Sequence, residues 1–516
     1  MHVSRTVIKR VLAIPLGSCC NPETLAYVLL PNSRDQNRIV VTQGVPGYMK
    51  PLIAIILLIS AVNGIAQSTP DRAALVDKYL TIRSEMGNFS GAVLVARGDS
   101  ILIAKGYGFA DMKKQVPFTP DTRHSIASVS KMFTAMAALK ARDAGRLKLD
   151  DSVCKFIDNC PDAWKLVQIQ HLMRNTSGIP DYEEKLDLGS DGYIDYMRQP
   201  RSAARIVESA RSQPLDFPPG AKFKYSNTGF VVLSMAVEKA TGRPFEEFVE
   251  EELLRPAGMK DSGVYREGKR PDGHAIGYTF KGTDWAKILG GVAYKDAGLA
   301  EIPWLSLGPP HGDAGMYSTV NDLLKWSIAM DGSKAVPASR ASEVYTAGEG
   351  GYGYGWFVGK GFDRDRYRHN GFVPGFASDF VKFPKEKITI ILFSNIDRTR
   401  MSNVMRDISS IVLGLPYDMP VRGKVVERDP AAMARLEGEY KMADGAILTV
   451  KSEPDFLTAS IKGRFTAGLI PMSDTEFYFP LADGRATFTL DSDKKTAVKA
   501  NLRYSGEDHI AERISK

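Results

Sequence analysis

Ser128-Val129-Ser130-Lys131 is the stretch that decides how this chain is read. It is entered through Arg123-His124-Ser125-Ile126-Ala127 and continued by Met132-Phe133-Thr134-Ala135-Met136-Ala137-Ala138-Leu139. The Ala, Met and Leu that follow predict a helix with Ser128 in its first turn. Residues three apart share a helix face, so the Ser128 hydroxyl and the Lys131 amine can meet without help from the rest of the fold. A serine hydroxyl is a weak nucleophile that needs a neighbouring base. A lysine serves as one only in its neutral form, which burial or positive neighbours favour. The helix N-terminus adds free N–H groups and a positive dipole end beside the hydroxyl. Spacing alone does not single out this site. Ser152-Val153-Cys154-Lys155 and Ser492-Asp493-Lys494-Lys495 repeat the pattern, but in polar, turn-like surroundings that open no apolar helix. The bland alternative at Ser128 is a helix-start serine followed by a solvated lysine.

Outward from this helix, residues 71–86 carry apolar side chains at helical spacing. Residues 91–97 and 100–105, joined by Gly98-Asp99, read as a β-hairpin. Residues 162–260 read as helix and loop, and 352–358, 377–383 and 387–394 as strands. Strands on both sides of a helical stretch predict an α/β (α+β) domain, one antiparallel sheet built from both ends of the segment with a helical lobe inserted. Pro416, Pro420 and Pro430 mark a composition shift, after which short alternating strands separated by polar turns predict a small antiparallel barrel or sandwich over 430–516.

Three further segments bear on the chemistry. Tyr225-Ser226-Asn227 follows Pro218-Pro219-Gly220; a tyrosine of lowered pKa relays protons, and an amide bonds both substrate and lysine. The alternative there is a packed tyrosine and an asparagine that caps the next helix. Arg368-His369-Asn370-Gly371-Phe372 precedes a strand, where a histidine and a close-approach glycine can line a cleft; its alternative is a Gly-rich turn with a surface histidine. Leu172–Tyr182 is a loop after a helix.

S-x-x-K, Y-x-N and H-x-G, in this order at Ser128–Lys131, Tyr225–Asn227 and His369–Gly371, resemble the serine β-lactamase/penicillin-binding-protein superfamily. The resemblance is to its class C β-lactamase-like branch and spans about residues 75–415. It implies a β-lactamase/transpeptidase-like sheet flanked by helices over 71–418, and the C-terminal unit resembles lipocalin-like β-domains appended to such hydrolases. It implies Ser128 as the acylated nucleophile, with Lys131 and Tyr225 sharing the base and proton-relay work. Backbone N–H groups of Ser128 and Phe372 would form the oxyanion hole. Asn227 would position Lys131 and the substrate amide, and His369, beside Gly371, would face the substrate's carboxylate or acyl side. Many β-lactamases carry Lys-Thr-Gly at the third motif, and a histidine is mostly neutral at pH 7. That favours D-amino-acid peptides, muropeptides or esters over β-lactams, in the manner of a D-alanyl-D-alanine carboxypeptidase, D-aminopeptidase or esterase. A β-lactamase, or a penicillin-binding scaffold whose turnover has lapsed, is the alternative. Asn175 stands where relatives often have histidine and is given no catalytic role. His124, His171, His274 and His311 are read as structural or surface residues.

Other classes are argued against. There is no G-x-S-x-G elbow and no H-E-x-x-H, so neither an α/β-hydrolase triad nor a zincin is expected, and no metal or cofactor. The Gly-rich run 349–355 reads as a strand edge and not a phosphate cradle. Net charge is +7, of which six basic and two acidic residues in 1–66 account for +4, so nucleic acid is not an expected partner. Met49-Lys50, the apolar run 51–60 and small residues before Gln67 read as a signal peptide over 49–66. Residues 1–48 then read as a mis-assigned upstream extension. The expectation is a periplasmic or secreted protein with no stable membrane span after cleavage. Cys154 and Cys160 are expected to pair locally in such a compartment, the alternative being two buried thiols.

Overall fold

The computed structural model describes residues 71–515 apart from 185, 187–190, 200–201, 267–268, 281–298, 305–311, 334–335, 398, 421–428, 453–456, 463–464, 480–483 and 505. The readings of 1–48 and 49–66 as leader segments, and His311, lie outside the described residues.

Helix α1 (Arg72–Glu85) is capped by Asp71, whose carboxylate accepts from the N–H groups of Ala73 and Ala74. Strands β1 (Gly91–Arg97) and β2 (Ser100–Tyr107) form the expected hairpin, with Arg97 opposite Ser100 and Gly98 at positive φ in the turn. Helix α2 (Ser130–Asp143) and helix α3 (Asn227–Thr241) follow in the lobe. Strands β3 (Phe357–Gly361), β4 (Arg364–Val373), β5 (Phe376–Phe383) and β6 (Ile388–Ser394) then complete the sheet, and α4 (Met401–Leu413) closes the domain.

The sheet runs β3-β4-β5-β6-β1-β2, antiparallel throughout, with β1 beside β6 so that Gly91 faces Ser394 and Arg97 faces Ile388. Both ends of the segment therefore meet in the centre of one sheet. Val93 and Val95 of β1, with Ile388, Ile390 and Leu392 of β6, face Val76 and Leu80 of α1 and Val404 and Ile408 of α4. Ala92, Leu94, Ile391 and Phe393 point the other way, into a core shared with Met132, Phe133 and Met136 of α2 and Phe230 and Leu233 of α3. Cover on both faces is why β1 and β6 read as unbroken apolar runs, not alternating ones. Each fully buried Val, Leu, Ile or Phe of this kind contributes about 1.5–3 kcal/mol. α2 lies between sheet and lobe, buried along Ser130–Leu139, so its first turn is held from every side.

Two local readings differ. The strand expected at 352–358 begins only at Phe357, because Glu349–Gly351 is a 3₁₀ turn and Gly355, at positive φ, packs against the Lys131 carbonyl, where a Cβ would lie 2.5 Å away. The Gly-rich run is thus a turn that seats α2, not a strand edge. Strand β4 spans Arg364–Val373, and His369 sits inside it, buried, and not on a surface turn. Its charged half, Arg364-Asp365-Arg366-Tyr367-Arg368, hides the strand: Arg364 pairs with Glu386 and Arg368 with Asp379, so the charges are met by neighbours in the fold.

Cys154 and Cys160 form a disulfide with Cα atoms 5.2 Å apart. Past Asp418 the chain enters a closed eight-stranded barrel, β7–β14 in order: Gly438–Met442, Ile447–Ser452, Leu457–Ile461, Phe465–Pro471, Glu476–Phe479, Gly484–Leu490, Ala497–Tyr504 and Glu507–Ser515. Tyr440, Leu448, Phe477, Phe488 and Leu502 fill its core, and Asp418 fastens its last hairpin by accepting from Arg503 and the Gly506 N–H. Among the described residues, no helix is long and apolar enough to cross a membrane.

Candidate active site

Ser128 lies in a 3₁₀ turn, Ala127–Val129, that runs directly into α2. Ala127 takes a positive φ of 46°, a conformation that costs an L-residue and that the surroundings must hold. They do so from β4 and β5. Ser378 donates to the Ile126 carbonyl at 2.8 Å, and the Ile126 N–H donates to the Met316 carbonyl. Gly371 passes so close that a Cβ there would lie 2.3 Å from the Ile126 oxygen and 3.0 Å from the Ala127 Cβ. The third motif's glycine is thus a packing requirement beneath the nucleophile.

Lys131 is fully buried. Its Nζ donates to Ser128 Oγ at 3.1 Å, to Asn227 Oδ1 at 2.8 Å and to the Asp313 carbonyl at 2.8 Å, and it lies 4.9 Å from the centre of the Tyr225 ring. The expected i,i+3 meeting therefore exists. Tyr225 lines the cavity beside Ser128, with its ring over Lys131 Nζ. Burial raises its pKa, only partly offset by Lys131 and Ser128, so it is a phenol and not the lowered-pKa tyrosine the sequence suggested.

The segment before α3 is fixed by short-range chemistry. Ser226, not Asn227, is the N-cap: its hydroxyl accepts from the Gly229 N–H and donates to the Ile179 carbonyl. Asn175, at a φ of 55°, accepts the Ser226 N–H at 3.0 Å. Asn227 is the first helical residue, with its N–H on Asp181 Oδ2 at 2.8 Å and its Nδ2 on Glu183 Oε2 at 2.9 Å.

A cavity of about 480 Å³ opens over Ser128, lined by Asp181, Glu183, Glu184, Tyr193, Lys224, Tyr225, Asn227, Phe357, His369, Asn370 and Phe372. β3 begins at Phe357, opposite Arg368, so the β4 segment from His369 to Val373 has no β3 partner on the cavity side. His369 presents its ring, but both nitrogens are engaged, Nε2 with the Tyr352 hydroxyl at 3.0 Å and Nδ1 with the Asn370 carbonyl at 2.8 Å. Burial, with Lys131 adding to it, lowers its pKa to about 3, so the ring is neutral and carries no charge for a substrate carboxylate. Burial and the Asp313 and Asp181 carboxylates push Glu183 up to about 7, and burial raises Asp181. Tyr193 donates to Glu183 at 3.1 Å, and Tyr182 to Asp313 at 2.9 Å.

All of the sequence-predicted site residues surround this one cavity or its floor. Asp181, Glu183 and Asp313 carry no signal in the sequence, although Asp181 falls in the Leu172–Tyr182 loop; an acidic residue in a loop is uninformative until the fold brings it to a lysine. His124, His171 and His274 keep structural places. His124 bonds the Ser394 carbonyl and stacks on Phe393, His171 accepts the Gln168 N–H, and His274 bonds the Tyr265 hydroxyl. Among the described residues, no cluster of His, Cys, Asp and Glu could hold a metal ion.

The family model described as Beta-lactamase matches residues 75–410. Penicillin-binding protein 4* of Bacillus subtilis is 29% identical over 81% of this chain and 94% of its own length. A D-aminopeptidase of Gluconobacter oxydans is 27% identical over 82% of this chain and 78% of its own. The crystal structure of a penicillin binding protein from Bacillus halodurans, 27% identical, superposes on 64% of this chain and 98% of that one with a TM-score of 0.55.

Proposed function

The chain belongs to the Beta-lactamase family and is a serine hydrolase, and from that premise we propose that it forms an acyl-enzyme at Ser128 and cleaves amides or peptides whose acyl part is a D-amino acid with a free ammonium group. The observation that carries the acyl-enzyme reading is the three-acceptor cradle of Lys131 beside Ser128. In its neutral form the amine keeps two N–H groups, which Asn227 Oδ1 and the Asp313 carbonyl accept, and its lone pair is left for the Ser128 proton. Ser128 Oγ then attacks the carbonyl carbon, and its proton passes to Lys131 directly or through the Tyr225 hydroxyl. Backbone N–H groups of Ser128 and Phe372 receive the oxyanion. Collapse expels the amine, which takes that proton back from the Lys131–Tyr225 pair. Water repeats the addition at the ester carbonyl, the same pair takes its proton, and Ser128 is released.

The substrate class rests on the cavity's charge. Among the described lining residues, Asp181, Glu183 and Glu184 stand against Lys224 alone, and Lys224 is already paired with Glu184 and Asp216. With a neutral His369, a substrate carboxylate finds no unspent cation among the described lining residues, whereas an ammonium finds carboxylates. This supports amine-bearing substrates over β-lactams, and the D configuration is supported by the relative named a D-aminopeptidase. Export belongs to the same proposal, supported by the 49–66 pattern and by the Cys154–Cys160 disulfide.

Four chromogenic substrates test the reading: D-alanine p-nitroanilide, its L isomer, its N-acetyl derivative and a cephalosporin. We expect the first to turn over fastest. N-acetylation should cost about 10- to 100-fold, the worth of one charge-assisted hydrogen bond. Fastest turnover of the cephalosporin would overturn the substrate assignment.

A further inference from the structure

We infer that Glu183 is a positioning residue for acylation: it fixes the Asn227 amide so that Oδ1, and not Nδ2, faces Lys131. This rests on the acyl-enzyme reading above. The oxygen and nitrogen ends of an amide are nearly equal in size, so its partners decide which way it points. Here Lys131 Nζ donates to Oδ1 at 2.8 Å and Nδ2 donates to Glu183 Oε2 at 2.9 Å. A flip would set two donors against each other at Lys131 and two acceptors against each other at Glu183. An ionised Glu183 therefore permits one orientation, whereas a protonated one carries an O–H that can donate to a flipped Oδ1.

The turn that holds Glu183 is built for this task. Asp181 accepts the Glu183 N–H at 2.9 Å through Oδ1 and the Asn227 N–H at 2.8 Å through Oδ2, so one acidic turn grips Asn227 at backbone and side chain together. Tyr193 holds the other Glu183 oxygen. The charged and titratable groups facing Glu183 are Asp181 and Glu184 from its own turn, Asp313, Lys131 of α2, Tyr193, and Lys224 and Tyr225 ahead of α3. Burial, with Asp313 and Asp181 adding to it, raises its carboxyl to about 7, so its charge changes near neutral pH.

The test is the pre-steady-state acylation rate of the full chain, with Glu183→Gln, Glu183→Ala, Asn227→Ala and the double variant Glu183→Ala/Asn227→Ala. p-Nitrophenyl acetate, which has no ammonium, is run beside D-alanine p-nitroanilide. Glu183→Ala should slow acylation about 10- to 100-fold with both substrates, the scale of a misplaced catalytic group. KM for the ester should stay within about 3-fold, since no ester contact is lost. The double variant should be no slower than Asn227→Ala, because the two act as one unit. The component of the wild-type acylation profile that titrates near pH 7 should be absent from Glu183→Gln, which also serves if the alanine variant does not fold. Losses confined to the ammonium substrate, additive losses in the double variant, or an unchanged rate would each overturn the inference. Wild-type labelling of Ser128 by a fluorophosphonate separates this failure from failure of the acyl-enzyme reading: without that label the acyl-enzyme itself is wrong.

Discussion

Gly371→Ala is the smallest change that should reach the nucleophile without touching it. Gly371 is not among the glycines at positive φ, so the backbone of β4 accepts alanine without strain, and only space is altered. The added Cβ would stand 2.3 Å from the Ile126 carbonyl oxygen and 2.6 Å from Ser378 Oγ. Carbon and oxygen rest at about 3.2–3.5 Å, so something must yield by about 1 Å. β5 and β6 back the strand on one side, which leaves the 126–128 turn to move. A displacement of that size at a reacting atom costs about 100-fold, equivalent to about 2.7 kcal/mol of barrier. Overpacking also takes about 1–3 kcal/mol from stability. The assay is stopped-flow acylation by a p-nitrophenyl ester, with thermal unfolding alongside. Acylation by Gly371→Ala within about 3-fold of wild type would refute the claim that this glycine seats the nucleophile.

Other outcomes follow from the same coordinates. Lys131→Met keeps the volume but loses the base, and should lower kcat/KM by about 10²–10⁴-fold while the helix stays folded by circular dichroism. Asn175→Ala leaves the Ser226 N–H without its acceptor and puts alanine at positive φ, so it should cost about 2–4 kcal/mol in urea melts, with Asn175→Gly costing less. Asp379 is pushed up to about 6 by burial, so its folded form holds a proton that the unfolded chain releases, and its stabilising share is full below the unfolded pKa and lost as pH rises toward 6. His124, His274 and His369, held down at about 4, 3 and 3, run the opposite way: their share is present above about 6.5 and lost as pH falls. Asp379→Asn should therefore lose stability more steeply than wild type between pH 6 and 4.5, by about 1.4 kcal/mol per pH unit, and parallel curves would show that Asp379 does not titrate there.

The hairpin, the central strand and the barrel were legible because each carries its own pattern: Gly98-Asp99 sets a turn, 388–393 is apolar but for Thr389, and the strands past Pro430 alternate. β4 was not, because Arg364, Arg366 and Arg368 put charge where a strand signal would stand, and their partners Glu386 and Asp379 are distant in sequence. In the site, Ser128, Lys131, Tyr225 and Asn227 could be named from the order of three motifs and the resemblance it carries, and a helix turn and a helix start create their local geometry. His369 shows the limit. The motif places it at the cavity, but Tyr352 and the Asn370 carbonyl, which the sequence does not join to it, decide that it is a neutral, occupied ring. Glu183 shows the converse, since its role arises only when the 181–184 turn folds against the start of α3.

The central claim is a covalent acyl-enzyme at Ser128, and peptide mapping by mass spectrometry after fluorophosphonate labelling tests it most directly. One adduct is expected, on the peptide that contains Ser128, absent from Ser128→Ala and strongly slowed in Lys131→Met. An adduct on another serine, or equal labelling of Ser128→Ala, would contradict it.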